Sequence, residues 1–542
     1  MQIVTVAQMR EIERAADAAG LSYSEMMHNA GYAAAAEIRR RLSYWCATIQ
    51  DRPARILILV GPGNNGGDGL VCATALYSGV NPVPLTVQGY CLKSRSQDDF
   101  VYCAARDAGV PMVSATDDPG LAQLQGLLAG ADVVVDALLG TGVARPIDGL
   151  LADILNHVTS AVDSQSSVLV ALDGVTGMNY DTGALDPVAP RAAVTITFHA
   201  PKRGHYCYPA ARATGELVVV PIGIQRQHLS SLVLPASDSV FLIEAEYVRR
   251  VMPVRAPDAN KGSYGKVLVV GGCLDYSGAP TLAATAAYRV GAGLVTLAVP
   301  AAIQPIAAVL CREATFASIG DEAGWLNPAA LGRIETALRG LDGRHGLVIG
   351  PGMGQAAETG EFLAGFLALA RSVGAGGRLV IDADGLNHLA RNPAWPSILP
   401  PTSILTPHPG EMARLTGLTV QAIQSNRIGI ALQFAQLWRH VVVLKGAFTV
   451  IAHHEKGAAV LPYSNPALAV AGTGDVLTGC IGGMLAQGLE PFEAAICGAH
   501  AHASAGERWR ETHGEAGLLA SDLLPLIPSV MHALRHPDTK PQ

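Results

Sequence analysis

Arg55-Ile56-Leu57-Ile58-Leu59-Val60, closed by Gly61, holds five consecutive apolar residues with no polar alternation. A strand with one wet face alternates apolar and polar side chains. An unbroken run that stops at a glycine belongs instead to a strand covered on both faces, as in a parallel sheet. The same design returns at residues 131–138, 168–172 and 193–198, with residues 215–220 as a closing strand. Ahead of it, Val6, Met9, Ile12 and Ala16 recur at helical spacing behind Thr5, a suitable N-cap, and a second helix covers residues 26–42. Strands that alternate with helices predict an α/β domain whose parallel sheet carries helices on both faces.

A second series follows Gly223. Lys266-Val267-Leu268-Val269-Val270 runs into Gly271-Gly272, and strands are predicted again at residues 346–350, 378–381, 403–406 and 441–444. Residues 280–300 read as a buried helix followed by a strand; Arg289 and several glycines interrupt the ~20 apolar residues a membrane span needs. Two α/β domains in tandem are expected, with the join within residues 221–244. The 542 residues are 49% hydrophobic and 15% charged, with 59 Gly, 33 Pro and a net charge of −7. No basic face offers itself to nucleic acid or anionic lipid. The nine Cys include no C-x-x-C pair and read as reduced, buried thiols. Residues 1–14 mix charged and apolar side chains and form no signal peptide, so a cytoplasmic protein is expected. Small-residue helices leave faces on which copies of the chain can pack, and a homo-oligomer is the expectation.

The C-terminal chemistry centres on Gly472-Thr473-Gly474-Asp475. A Gly-x-Gly turn feeding a helix offers unpaired N–H groups and a positive dipole end to an anion. An Asp beside a transferring phosphoryl group can take the proton of the attacking hydroxyl, although Asp is equally common as a plain helix cap. Lys445-Gly446-Ala447-Phe448-Thr449, Thr406-Pro407-His408-Pro409-Gly410-Glu411 and Gly350-Pro351-Gly352-Met353-Gly354 each follow a predicted strand and so converge on one cleft.

With Lys261-Gly262-Ser263-Tyr264-Gly265, Tyr276-Ser277-Gly278-Ala279 and Ile381-Asp382-Ala383-Asp384-Gly385-Leu386, these blocks resemble the ribokinase-like superfamily and, within it, the nucleotide-dependent NAD(P)H-hydrate dehydratases. The resemblance implies that the C6 hydroxyl of NADHX or NADPHX is phosphorylated by ADP or ATP and that phosphate then leaves. It implies Asp475 as the base, Lys445, Gly446, Ala447, Phe448, Thr449 and Gly474 around the nucleotide, and Ala279, Gly352, His408 and Asp475 around the hydrate. Glu411 is implied as an indirect partner of Mg²⁺.

In the N-terminal half Gly61-Pro62-Gly63-Asn64-Asn65-Gly66-Gly67-Asp68-Gly69 follows the first strand but lacks the Gly-Lys-Ser/Thr ending of a Walker loop. Asn65, Asp136 and Thr176 bring only oxygen ligands to neighbouring strand ends. That donor set suits a hard cation rather than zinc, though three separate helix caps fit it too. These segments, with Asn29-Ala30-Gly31 and Ala200-Pro201-Lys202, resemble the NAD(P)H-hydrate epimerases. The resemblance implies that Asn64, Asn65, Gly66, Gly67, Asp68, Gly140, Thr141, Gly142, Val143, Ala144, Arg145, Pro146 and Asp173 bind the hydrate. It further implies Asp173 as the acid–base group and K⁺ on Asn65, Asp136 and Thr176. Asp173-Gly174-Val175-Thr176-Gly177 departs from the family's Pro-Ser-Gly, with Val and Thr in place of Pro and Ser.

The expectation is therefore two tandem three-layer α/β/α domains, a Rossmann-like epimerase at residues 1–224 and a ribokinase-like dehydratase at residues 225–542. The competing reading is a kinase of a vitamin-precursor alcohol joined to a non-catalytic ligand-binding domain.

Overall fold

Thr5 ends the extended entry of the chain. Its hydroxyl accepts the Gln8 N–H at 3.1 Å while the Gln8 side chain accepts the Thr5 N–H at 2.9 Å. This reciprocal cap pairs two donors that a helix start leaves open, and the helix runs Val6–Ala18 with Met9, Ile12 and Ala16 buried. Ser22 and Glu25 cap the next helix in the same way, and Tyr23–Trp45 extends beyond the 26–42 periodicity at both ends. The computed structural model describes every residue except 48, 50, 97, 142–145, 165–166, 231, 233–234, 320–323, 342 and 537–542. The chain divides into two compact units, residues 2–234 and residues 235–542 with Met1.

In the first unit seven parallel strands lie in the order Met112–Ser114, Leu85–Cys91, Ala54–Val60, Val133–Ala137, Val168–Leu172, Val194–Phe198 and Glu216–Val220. Leu85–Cys91 and Met112–Ser114 were not expected. Gln88 and Gly89 interrupt the first and the second has only three residues, so neither forms an apolar run. Ile56, Ile58 and Val60 pack toward Val6–Ala18, Tyr23–Trp45 and Asn64–Ser78. Leu57 and Leu59 pack on the opposite face, toward Ala122–Gly130 and Gly149–Asp163. Successive strands step to one side of Ala54–Val60 and then to the other, which leaves a crevice at the strands' carboxyl ends.

The second unit repeats the plan around Lys266–Val270, flanked by Leu294–Pro300 and Thr315–Ile319 on one side. On the other lie His345–Ile349, Leu379–Ile381, Ile404–Leu405 and Val441–Leu444, all parallel. Beyond them the strand direction changes. Val450–His453 returns antiparallel to Val441–Leu444 and pairs antiparallel with Gly457–Val460, which runs parallel to Val240–Leu242. A short turn can join strands only when they are antiparallel, and residues 445–449 are such a turn.

The helix Thr473–Ala486 is buried along most of its length because its glycines allow backbones to touch. A Cβ on Gly479 would lie 2.0 Å from the Ala283 carbonyl oxygen, and one on Gly482 2.5 Å from Val348. Gly479→Ala is therefore expected to destabilise this unit by ~1–3 kcal/mol, as overpacking of a filled core does. A depressed melting temperature would register it; an unchanged one means the neighbouring helix yields. All cysteines but Cys103 are buried and none is in a disulfide. Among the described residues no helix is long and apolar enough to cross a membrane.

Candidate functional site

Gly472, at φ +91°, turns the chain into Thr473–Ala486, so Thr473, Gly474 and Asp475 occupy the first helical turn with N–H groups that no helical carbonyl receives. The Thr473 hydroxyl is 3.0 Å from the carbonyls of both Leu468 and Val470, which braces the approach. A Cβ on Gly474 would lie 3.5 Å from Lys445 Nζ and 3.7 Å from Asp382 Oδ2, so the helix start meets two strand-end loops.

Lys445 Nζ donates to Asp382 Oδ1 at 2.5 Å and lies 3.5 Å from Glu411 Oε2. Thr478, one turn beyond Asp475, donates to Asp382 Oδ2 at 2.6 Å. One ammonium thus faces the carboxyls of Asp382, Glu411 and Asp475. Burial, followed by the charge of Asp382, pushes Asp475 up to about 7 against the pull of Lys445. Burial likewise lifts Glu411 to about 7 despite Lys445. Burial works against the charge of Lys445, but Asp382 and Glu411 raise its pKa overall. A carboxyl poised near neutrality beside a fixed cation is suited to proton transfer.

Glu411 is delivered by a helix cap. The His408 N–H donates to Glu411 Oε2 at 2.8 Å, and His408 Nδ1 accepts the N–H groups of Gly410 and Glu411 at 3.0 and 3.3 Å. His408 Nε2 then faces Glu411 Oε1 at 3.5 Å, and burial holds the ring below its ordinary pKa. The Lys445 N–H donates to the Pro407 carbonyl at 2.9 Å, tying these loops together. Lys445, Gly446, Ala447, Phe448 and Thr449 form the hairpin turn, with Phe448 at φ +52° and the Thr449 hydroxyl donating to the Gly446 carbonyl at 2.9 Å. Arg427 Nη2 donates to the carbonyls of Leu444 and Lys445 at 2.9 and 3.1 Å and supports the turn from below.

Ala279 and Gly352 form one wall, since a Cβ on Gly352 would lie 3.0 Å from the Ala279 methyl. Asp384 Oδ2 accepts the Gly354 N–H at 2.9 Å, and a Cβ on Gly350 would fall 1.9 Å from the Asp382 carbonyl oxygen. The wall is therefore continuous with the Lys445 cluster. Sequence reasoning quoted Asp382 only as part of a block and missed its pairing with Lys445 and Thr478. Its signal was available: an Asp immediately after an apolar parallel strand, ahead of Ala383 at φ +48°.

In the first unit Asn64, Asn65, Asp68, Gly140, Thr141 and Asp173 line one cavity of about 560 Å³, together with Glu13 and Lys202. Gly66 and Gly67 instead let the loop pack, since a Cβ on either would strike Gly61 O at 2.0 Å or Met27 Sδ at 2.7 Å. Pro146 faces a second cavity of about 640 Å³ that shares Pro62 and Leu139 with the first. Gly142, Val143, Ala144 and Arg145 lie outside the described residues.

Asp136 is 1% exposed, and burial raises its pKa although Thr176 donates both N–H (2.8 Å) and hydroxyl (2.7 Å) to it. Asn65 Nδ2 donates to the Leu139 carbonyl at 3.1 Å, which leaves Asn65 Oδ1 buried with no partner. An orphaned buried amide oxygen and a buried carboxylate that pairs with no cation among the described residues are oxygen donors that fit a hard cation. Asp173, at φ +62°, accepts the ammonium of Lys202, the Thr197 hydroxyl at 3.0 Å and the Phe198 N–H at 3.3 Å. Burial would raise its pKa, but Lys202, itself 1% exposed, brings it below the usual carboxylate range.

Comparison with known proteins matches residues 267–529 to the family described as NAD(P)H-hydrate dehydratase and residues 23–204 to the YjeF-related protein N-terminus. A bifunctional NAD(P)H-hydrate repair enzyme of Moorella thermoacetica is 37% identical over 536 residues, covering 98% of this chain and 97% of the relative. One of Coxiella burnetii is 36% identical, covering 96% and 97%. A solved ADP/ATP-dependent NAD(P)H-hydrate dehydratase of Bacillus subtilis, co-crystallised with ATP and Mg²⁺, is 29% identical with a TM-score of 0.44; it covers 54% of this chain and 99% of its own. At this identity, sustained over both units, the chain belongs to the family of bifunctional NAD(P)H-hydrate repair enzymes.

Proposed function

We propose that the two units divide the repair of NADHX and NADPHX, the second unit dehydrating the S hydrate and the first interconverting the R and S forms. The dehydratase reading is carried by the Asp475 carboxyl, set at a helix start beside Lys445 and poised near neutrality. Asp475 takes the proton of the C6 hydroxyl, whose oxygen attacks the terminal phosphoryl group of ADP or ATP. The C6–O bond then breaks with its electron pair on phosphate and C5 loses a proton, which restores the dihydropyridine and leaves AMP or ADP. Hydroxide leaves carbon poorly and phosphate leaves well, so the nucleotide supplies the leaving group. Lys445 and the N–H groups of Thr473, Gly474 and Asp475 hold the polyphosphate, and the 445–449 turn covers it. Ala279, Gly352 and His408 face the hydrate.

Asp382, Glu411 and Asp475 outnumber the single cation among them, an excess of negative charge that fits Mg²⁺, which would offset charge on the phosphates. In the first unit Asn65, Asp136 and Thr176 would hold K⁺, which would neutralise Asp136 and fix the loops that carry Asn65 and Leu139. Asp173, ionised against Lys202, is the base for epimerisation. The match of residues 267–529 to dehydratases leaves the vitamin-kinase reading without support.

The test is to incubate the purified chain with mixed hydrates and ADP or ATP, following dihydronicotinamide absorbance. Recovery of both epimers is expected, the R form faster in K⁺ than in tetramethylammonium. Accumulation of a stable phosphomonoester would sink the dehydratase assignment, and recovery that stops at the S fraction would sink the epimerase assignment.

A further inference from the structure

The helix Val6–Ala18 lies outside the span matched to the YjeF-related family, yet it is anchored on the epimerase cavity. The Val4 N–H donates to the Pro201 carbonyl at 3.0 Å and the Arg203 N–H to the Val4 carbonyl at 3.1 Å, so the chain entering this helix is laced to the loop that carries Lys202. The Val6 N–H donates to Asp181 at 2.8 Å, and Thr5 and Gln8 complete the cap. Met9 and Ala16 are buried; Glu13, four residues after one and three before the other, shares their face. An acid on the buried stripe of an amphipathic helix is poorly placed for packing.

Glu13 lines the cavity of about 560 Å³ with Asp68, Asp173 and Lys202. The one buried ammonium there is taken by Asp173. Among the described residues neither Glu13 nor Asp68 has a hydrogen bond or ion pair to its carboxyl. The titratable and charged groups around Glu13 in this cavity are Asp68 on the helix Asn64–Ser78, Asp173 and Lys202 on the loops after strands, Arg10 and Arg14 on its own helix, and Tyr23 at the start of the next. Of these three carboxyls Asp173 is ionised by a lysine while Glu13 and Asp68 have no ion pair among the described residues, and one carboxyl of each kind is what a paired base and acid require.

We propose that Glu13 is the catalytic proton donor of epimerisation, the partner of Asp173. This rests on the epimerase reading of the same cavity. Asp173 takes the proton of the C6 hydroxyl as the C6–N1 bond breaks; the bonding pair goes to N1, which receives the proton of Glu13, and C6 becomes an aldehyde. Rotation about C5–C6 and the reverse transfers close the ring on the other face. Atoms and charge balance with no added reagent. Burial, then the charge of Asp173, raises the pKa of Glu13 against Lys202 and Arg10, which keeps the proton available.

The experiment uses the full chain, mixed hydrates and excess ADP or ATP, so the dehydratase consumes the S form quickly and the slow phase reports conversion of R to S. Glu13→Gln is expected to slow that phase by ~10²–10⁴-fold, leave the fast phase unchanged and abolish the alkaline limb of the slow-phase pH profile. Arg10→Gln, which removes a charge that lowers the pKa of Glu13, should move that limb to higher pH. A Glu13→Gln slow phase within about threefold of wild type overturns the proposal, as does a limb indifferent to Arg10. If Glu13→Gln fails to fold, Glu13→Asp decides: a displaced limb supports the assignment and an unmoved one overturns it. A wild-type chain whose slow phase equals the non-enzymatic rate refutes the epimerase reading itself, a different outcome.

Discussion

Asp475→Asn is expected to slow dehydration of the S hydrate by ~10²–10⁴-fold, the contribution of a positioned general base, while nucleotide affinity changes by less than about tenfold. The wild-type profile of kcat/KM should rise as pH passes through about 7, because a base with a raised pKa is protonated and idle below it and ionised above it. In the variant that limb disappears. The same shift has a stability signature of opposite sense. A carboxyl whose folded pKa exceeds its unfolded value favours the fold at low pH, and that advantage is lost as pH rises through about 7. Asp475→Asn should therefore melt above wild type at pH 8, with the gap narrowing toward pH 5. An undiminished turnover, or a limb that survives the substitution, would remove Asp475 from the chemistry.

Lys202→Met is expected to impair both the stability and the chemistry of the first unit. It leaves the Asp173 carboxylate buried with only Thr197 and Phe198 as donors, and breaking a buried pair from one side destabilises by about 3–5 kcal/mol. The pKa of Asp173 then rises and the carboxylate loses the ammonium that orients it, so R-to-S conversion should fall by ~10²-fold or more. Consumption of the S hydrate should be untouched. Adding Asp173→Asn to Lys202→Met should restore much of the melting temperature, since no unpaired charge remains, without restoring epimerisation. A double variant no more stable than the single one would show that Lys202 acts through packing rather than charge.

The central strands were legible because their burial on both faces writes an unbroken apolar run into the chain. Leu85–Cys91 was hidden by Gln88 and Gly89, and the antiparallel return of Val450–His453 carries no local mark of direction. The motifs Gly472-Thr473-Gly474-Asp475 and Asn64-Asn65 stood out because bare backbone and oxygen ligands are what the phosphate and cation chemistry proposed for them needs. The ionic partners did not. Asp382 reaches Lys445 across 63 positions and Asp173 reaches Lys202 across 29, and no spacing rule encodes such pairs. Glu13 was visible only as one more charge on an amphipathic helix until the fold placed it in a cavity.

The register Leu444↔Val450, Val443↔Ile451 and Val442↔Ala452 holds both ends of the residue 445–449 turn in a ladder. Deleting one residue there would not simply shorten a loop; it would rotate Val450, Ile451, Ala452 and His453 to the opposite faces of the sheet. Away from Lys445, this segment should therefore tolerate substitution far better than any change of length, which makes its residue count part of the sheet's register.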